Sequence, residues 1–491
     1  MAQNNGNPDL KWLSEFLQNH ILALAGIKLS AMHYRNLKVF NLLVALFFLI
    51  DMRVNGQADT LIHLPDALRM AEERYHLLKS KKMEAAAAAA SIDVTKYSRM
   101  PTIDASYQAG LGTANNLTGI FYPNGILPMT GPPSATNNFN PATGSAASVL
   151  LNWQAVTFGQ RDAQINVSVI EANSKKLEWQ QVLFSCKINV ISSYLDVILA
   201  YEKIAIHQQN IERVNANLKQ SRVLANTGIK PGADTALFLS ELSKARIELL
   251  NAQQQAKVTQ LLLGQWMVTD ALPVPADTAF LNKLPLFVPS ADTSFAATPV
   301  IQSGKSQLLI SQSKEALLKK SFLPRLNIWG TGFARGSGFQ ADGNIKTWDG
   351  LGLNRFNYGA GVQLVFPIMK YGEVKKQLLQ QNLLSKAAEE RIEENKQILS
   401  TQQSIANAAT SNSLAVAAET RQQLTSAQYA FKAMQVRYNT GLVNFSDLIQ
   451  AQYNLLKAEL DIRVAYWDAW KALLLQTAVK GDENLFLNAI R

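Results

Sequence analysis

The sequence predicts a mainly α-helical protein with a β portion embedded in a membrane, built as one unit repeated twice. Three observations carry this prediction. Gln160 to Thr227 and Glu373 to Thr440 each run 68 residues without a Gly or Pro. A helix through either stretch, rising about 1.5 Å per residue, would be roughly 100 Å long. The second stretch copies the first at a separation of 213 residues, Gly159 matching Gly372 and Gly228 matching Gly441, which marks an internal duplication. Before each long stretch, apolar and polar residues alternate with the period of strands that have one apolar and one polar face.

In chain order, residues 1–56 read as an N-terminal extension plus a secretory signal. Met32 to Lys38 is a basic leader, Val39 to Ile50 an apolar run too short to span a bilayer comfortably, and Val54, Asn55 and Gly56 a small-residue cleavage site. Translation is expected to start at Met32 and the mature chain near Gln57. Residues 57–269 form the first repeat: a helix, a hairpin over 101–158, a long helix over 160–227 and a helix over 233–263. In the hairpin Ile103, Ala105, Tyr107, Ala109 and Leu111 alternate with Thr102, Asp104, Ser106, Gln108 and Gly110, and Ala147 to Trp153 returns. Residues 270–300 form the linker, with Pro273, Pro275, Pro285, Pro289 and Pro299. The second repeat, 301–478, carries a helix, a hairpin over 324–370, a long helix over 373–440 and a helix over 445–478, ahead of a tail at 479–491. Its strands are Leu326 to Arg335 and a segment in which Phe356, Tyr358, Ala360, Val362, Leu364 and Phe366 alternate with Arg355, Asn357, Gly359, Gly361 and Gln363.

Charged residues are only 17% of the chain, and the formal charge of +10 comes from Lys and Arg that interleave with Glu along the helices. Solvated helix faces explain that pattern better than a nucleic-acid surface, so no nucleic acid is expected as a partner. The single cysteine, Cys186, excludes an intramolecular disulfide and is not placed to carry a lipid at the mature N-terminus. Beyond the leader only His63, His76 and His207 occur, with no H-E-x-x-H, Walker A or G-x-S-x-G. An enzyme is therefore the least supported class, and no cofactor or metal is implied.

In a soluble protein the hairpins would be half-buried in a sandwich. Strands of about ten residues with clean alternation, following a secretory signal, fit a transmembrane barrel instead. A sheet edge open to lipid leaves N–H and C=O groups unsatisfied, and four strands cannot close a barrel when the smallest need about eight. Copies must therefore join. In the helices, Leu424, Ala427, Phe431, Met434 and Tyr438 make a coiled-coil seam, while Ala406, Ala408, Ala409 and the Ala85 to Ala90 run permit close approach on two flanks. Such helices suit a curved wall more than a compact core with one wide apolar face.

Motifs recur around each glycine pair. Trp153 and Phe158 stand six and one residues before Gly159, as Phe366 and Tyr371 stand before Gly372, with Pro367 between them. The other end reads Asn226, Thr227, Gly228 with Asp234 six residues on, and Asn439, Thr440, Gly441 with Asp447 six residues on. From roughly Leu61 to Ala478, this order and these motifs resemble the TolC-type outer membrane factor family. The resemblance implies a homotrimer in the outer membrane of a Gram-negative bacterium, contacting outer-membrane lipid and extending into the periplasm. Four strands per chain would complete a twelve-stranded β-barrel continued by a long α-helical barrel. It further implies a passive conduit for efflux of small molecules, meeting a periplasmic adaptor (a membrane fusion protein) and an inner-membrane RND or ABC transporter. Type I protein secretion is the alternative cargo class, and a non-pore periplasmic adaptor or coiled-coil scaffold is the alternative of another kind.

The same resemblance places a gate at the periplasmic helix tips. Asp234 and Asp447 fall on acidic positions that ring the constriction, and Tyr438 on an aromatic that helps hold the closed state. Gln450 stands where a second acidic ring occurs, and Val443 where a basic latch occurs. From the residues alone, an Asp shortly after a turn is equally a helix cap, and the two roles can coexist. Three copies of each carboxylate around a narrow lumen would favour cations. Asp447→Ala is accordingly expected to raise conductance. Gly228, Ile229, Lys230, Gly441, Leu442 and Val443 form the expected adaptor-docking tips, and Trp153, Gly159, Phe366, Pro367 and Gly372 mark the junctions of barrel and helix.

Overall fold

The computed structural model describes residues 60–116, 133–287, 294–340, 342 and 344–490, so the expected leader and the start near Gln57 lie outside the described residues. The chain runs β1 (Thr60–Ile62), α1 (Leu64–Arg74), α2 (His76–Tyr97), β2 (Thr102–Gly112), β3 (Ala142–Val156), α3 (Gln160–Asn226), α4 (Gly232–Met267) and β4 (Pro273–Pro275). After a 3-10 turn at Thr278–Asn282 it continues through α5 (Pro299–Leu318), β5 (Arg325–Ser337), β6 (Arg355–Val365), α6 (Lys370–Asn439), α7 (Phe445–Lys480) and α8 (Asn484–Ile490). Helix, hairpin, long helix, tight turn and helix thus occur twice. At 67 and 70 residues, α3 and α6 each rise about 100 Å.

The four long strands form one antiparallel sheet in the order β2-β3-β5-β6, with β2 and β6 at its edges. Directly paired residues share a face, so the register sorts the side chains. Ile103 lies opposite Leu151, and Ile328 lies opposite Val362 on the same apolar face. Phe356 and Tyr358 on that face are 78% and 95% exposed, far beyond what a soluble sandwich leaves uncovered. The other face carries Asp104, Ser106, Gln108, Asn152, Asn327, Arg335, Arg355 and Asn357, with Ser106 and Ser148 bonded across the strands at 2.8 Å. There Trp329 lies over the backbone opposite it: a Cβ built at Gly361 would meet its ring at 2.8 Å, so any larger residue would have to push the indole aside. The β3 and β5 strands extend beyond the segments expected from alternation alone, because the ladder continues through Ala142 to Gly144 and Gly336 to Ser337 whatever their side chains.

The helices depart from the expectation of a wall without a wide core. Midway along α3, Val190, Ile191, Tyr194, Leu195, Val197 and Ile198 are buried, packed with Trp470, Leu473 and Leu474 of α7, Leu263 and Met267 of α4, and Phe486 of α8. This same helix contains the one described stretch apolar enough to cross a membrane by composition, and its apolar residues are spent on helix packing. The linker is part of that core. Pro273–Pro275 pairs in parallel with Thr60–Ile62, Phe280 packs edge-on against Trp470 with centroids 4.9 Å apart, and Leu281 is fully buried. Asp277 fastens the linker to the first repeat. Its Oδ2 accepts from the Tyr194 hydroxyl at 2.8 Å and from the Leu64 N–H at 3.1 Å, and its Oδ1 pairs with His63 at 2.8 Å.

A second difference concerns the glycine brackets. Gly159, at φ 85°, is the left-handed N-cap of α3, and Phe158 beside it is also left-handed at φ 46°. Gly372 instead lies within α6, which starts at Lys370. The duplicated motif therefore keeps its spacing but not its backbone geometry. A β-bulge between Gln154 and Val156 turns the chain in the first repeat, while in the second Pro367 breaks the strand and its carbonyl accepts from the Lys370 N–H.

Candidate functional site at the helix tips

The two Asn-Thr-Gly sequences end α3 and α6 by the same local chemistry. Gly228 and Gly441 adopt φ 75° and 80°, a conformation that glycine enters without steric cost. Ile229 N–H then donates back to Leu224 O and Leu442 N–H to Arg437 O, both at 2.9 Å, the long reversed bond that closes a helix C-terminus. The preceding threonines satisfy further orphan carbonyls: Thr227 bonds to Val223 and Leu224, Thr440 to Val436 and Arg437.

Beyond the turns the copies diverge. Asp447 sits in a capping box: Asn444 is the N-cap, its Oδ1 accepting from Asp447 N–H at 2.9 Å, while Asp447 Oδ2 faces Asn444 N–H at 3.4 Å. The cap expected of Asp447 is thus present, but with Asn444 as the capping residue. The N-cap of α4 is Pro231, which offers no side-chain cap, and Asp234 turns to the other repeat. Its Oδ2 accepts from the Tyr438 hydroxyl at 3.0 Å. Tyr438 is 1% exposed, edge-on to Phe238 at 5.8 Å, in a cluster with Leu218, Leu242, Phe431 and Leu448. Burial pushes its phenol up to about 12, Ser221 pulling against the rise and the Asp234 carboxylate adding to it.

Val443 carries no cation, yet the tip is latched through its backbone. Lys230 Nζ, from the opposite tip, donates to the Val443 carbonyl at 2.6 Å and lies 3.4 Å from that of Gly441, 5.2 Å from the centre of the Tyr438 ring. From sequence Lys230 is expected only among the docking residues, because an acceptor that is a backbone carbonyl leaves no trace in residue identity. Further ties rise behind it between the repeats. Tyr453 of α7 donates to Glu241 of α4. Asn217 donates to Gln452, which donates to Asn210, while Gln435 donates to Asn217. Arg213 grips Glu459 with two bonds of 2.9 and 2.6 Å. None of these ties is legible in the sequence, since Asn and Gln on long helices look like solvated face until packing buries them.

The structure thus brings Asp234 and Lys230 each onto Tyr438, and leaves Asp447 and Gln450 apart on α7, where Gln450 is exposed and bonded to Asn454. Ile229 and Leu442 project at the tips, 57% and 71% exposed. At the junctions, Trp153 Nε1 donates to Arg99 O at 2.8 Å, Phe366 is exposed, and Tyr371 packs edge-on against Phe322. Among the described residues no group of His, Cys, Asp and Glu is arranged to hold a metal ion.

Solved structures share this fold at low identity. The chain is similar to the CmeC outer membrane channel of Campylobacter jejuni, with 15% identity, TM-score 0.66, and 85% of each chain covered. It is also similar to the open-state MtrE outer membrane channel of Neisseria gonorrhoeae, at 15% identity and TM-score 0.65 over 86% of this chain and 89% of that one. The outer membrane protein VceC of Vibrio cholerae matches at 13% identity and TM-score 0.64, over 85% of this chain and 96% of the other. No curated protein matches significantly. The outer membrane efflux protein family matches residues 67–267 and 299–469, the two repeats in turn, and excludes the enzyme and scaffold readings. With the duplicated architecture, the apolar sheet face and this match in agreement, the chain belongs to the outer membrane efflux protein family.

Proposed function

We propose that three copies close a twelve-stranded outer-membrane barrel, that their long helices continue it as a water-filled conduit for small molecules, and that the helix tips hold the conduit shut. The observation that carries the closure is the unpaired edge on each side of a four-stranded sheet whose apolar face is uncovered. Lipid satisfies no backbone N–H or C=O, so these edges pair with other copies. Two repeats tied by Tyr438–Asp234 and Lys230–Val443 support a closed tip state. Release of these ties lets α6 and α7 move against α3 and α4. Asp234 and Asp447, in three copies each, place carboxylates around the tip aperture, with Gln450 neutral one turn behind. The exposed Ile229 and Leu442 offer apolar contacts to the helical end of a periplasmic adaptor, which links the channel to an inner-membrane transporter. Planar-bilayer recording tests the reading. The wild-type trimer is expected to conduct weakly and Tyr438→Phe with Lys230→Met several times more strongly, and equal conductance of correctly assembled trimers would refute the tip gate.

A further inference from the structure

The polar face of the sheet carries one electrostatic conflict that neither folding nor the tip gate resolves. Arg335 of β5 and Arg355 of β6 are direct antiparallel partners, so their side chains leave the same face of the sheet about 4.5–5.5 Å apart at Cβ. Like charges placed directly opposite are destabilising, and both residues are exposed. Among the described residues no carboxylate pairs with either guanidinium. The acids nearest in sequence are engaged elsewhere: Asp342 accepts from Asn344, and Asp349 faces Lys346 at 3.7 Å. The stretch carrying Asp349 packs on the opposite face, where Ser145 Oγ donates to Gly350 O at 2.7 Å and a Cβ at Gly336 would strike Gly352 O. The first hairpin cannot compensate, since no charged residue occurs between Asp104 and Arg161. Asp104 itself lies on the row of Thr331, four residues and roughly 13 Å along the strand toward the helix end.

We propose that Arg335 and Arg355 form a basic ring at the loop end of the barrel lumen, six guanidiniums in the trimer, that binds multivalent oxyanions and biases the exit toward anionic cargo. This rests on the closed-barrel reading above. Planar arginine forks bind phosphate-type oxygens bidentately, and rings of arginine set anion preference in pores. At the opposite end of the conduit, the tips present carboxylates; the two ends therefore select charge in opposite senses.

The test is block of the reconstituted wild-type trimer by tripolyphosphate added on the loop side, with the reversal potential measured in a KCl gradient. Half-block in the wild type is expected at a concentration at least tenfold below that for R335Q/R355Q, whose reversal potential moves toward cation preference. R335K/R355K, which keeps the charge, is expected to retain the preference, and R355Q, changed only on the edge strand, to fall between. Heat-modifiable trimers on gels verify assembly of each variant. Equal block and equal reversal potential in assembled wild type and R355Q would overturn the ring while leaving the channel intact. A wild-type protein that forms no pore would overturn the ring and the closed barrel together.

Discussion

At the residue scale, a hydroxyl and an ammonium join the two tips. A hydrogen bond to a charged group contributes about 1.5–3 kcal/mol, and Tyr438→Phe removes it while leaving the ring against Phe238. Higher conductance with unchanged trimer assembly is the expected result. Asp447→Ala is expected to raise conductance less than Tyr438→Phe, because Asp447 bonds within its own helix start and Asp234 bonds across the repeats. The pH response has a defined sign. A phenol raised to about 12 contributes fully below its unfolded value near 10, and loses that contribution as pH rises between the two. Conductance of the wild type is therefore expected to climb between about pH 10 and 12 and that of Tyr438→Phe, which keeps only the Lys230 tie, to climb less over the same window.

At the element scale, α7 is fixed at both ends by different physics. Its start depends on the capping box, so Asn444→Ala is expected to cost about 0.5–2 kcal/mol and to speed amide exchange in the first turn. Its far half depends on the core. Trp470 packs edge-on against Phe280 and Phe486 and donates to Phe280 O at 2.7 Å, and Trp470→Ala is expected to cost about 3–5 kcal/mol in chemical denaturation followed by circular dichroism. The linker depends on Asp277. Burial drives that carboxyl up, but bonds from His63, Leu64 and Tyr194 outweigh it and hold the group below its usual range. Stability from this clasp is present above the unfolded value near 4 and fades as pH falls below it. An Asp277→Asn protein should show a shallower acid destabilisation than the wild type.

At the scale of the whole molecule, α3 and α6 are long because nothing in 68 residues interrupts either, and they stay in place because the core midway along α3 and polar ties such as Gln435 to Asn217 hold them. On the proposed reading, the uncovered sheet face meets lipid and the unpaired edges meet other copies. Migration as a heat-modifiable trimer in the outer-membrane fraction is the expected behaviour, and a soluble monomer would contradict it. The duplication was legible because its punctuation, Asn226-Thr227-Gly228 and Asn439-Thr440-Gly441, is dictated by local helix termination. The strand faces were legible because side chains alternate with a period of two. The latch was not, since Lys230 reaches carbonyls that belong to Val443 and Gly441 across the repeat boundary. Nor was the different use of Asp234 and Asp447, which share one motif.

Periodicity and the glycine turns, which act over a few neighbouring residues, determined the repeats, the long helices and the two-faced strands from sequence alone. Which polar groups meet across the repeats was decided only in three dimensions. A hydrogen bond between residues 204 positions apart depends on how whole helices lie against each other, as that of Tyr438 to Asp234 does. The same holds for Arg335 beside Arg355, a conflict that only the pairing register brings into being.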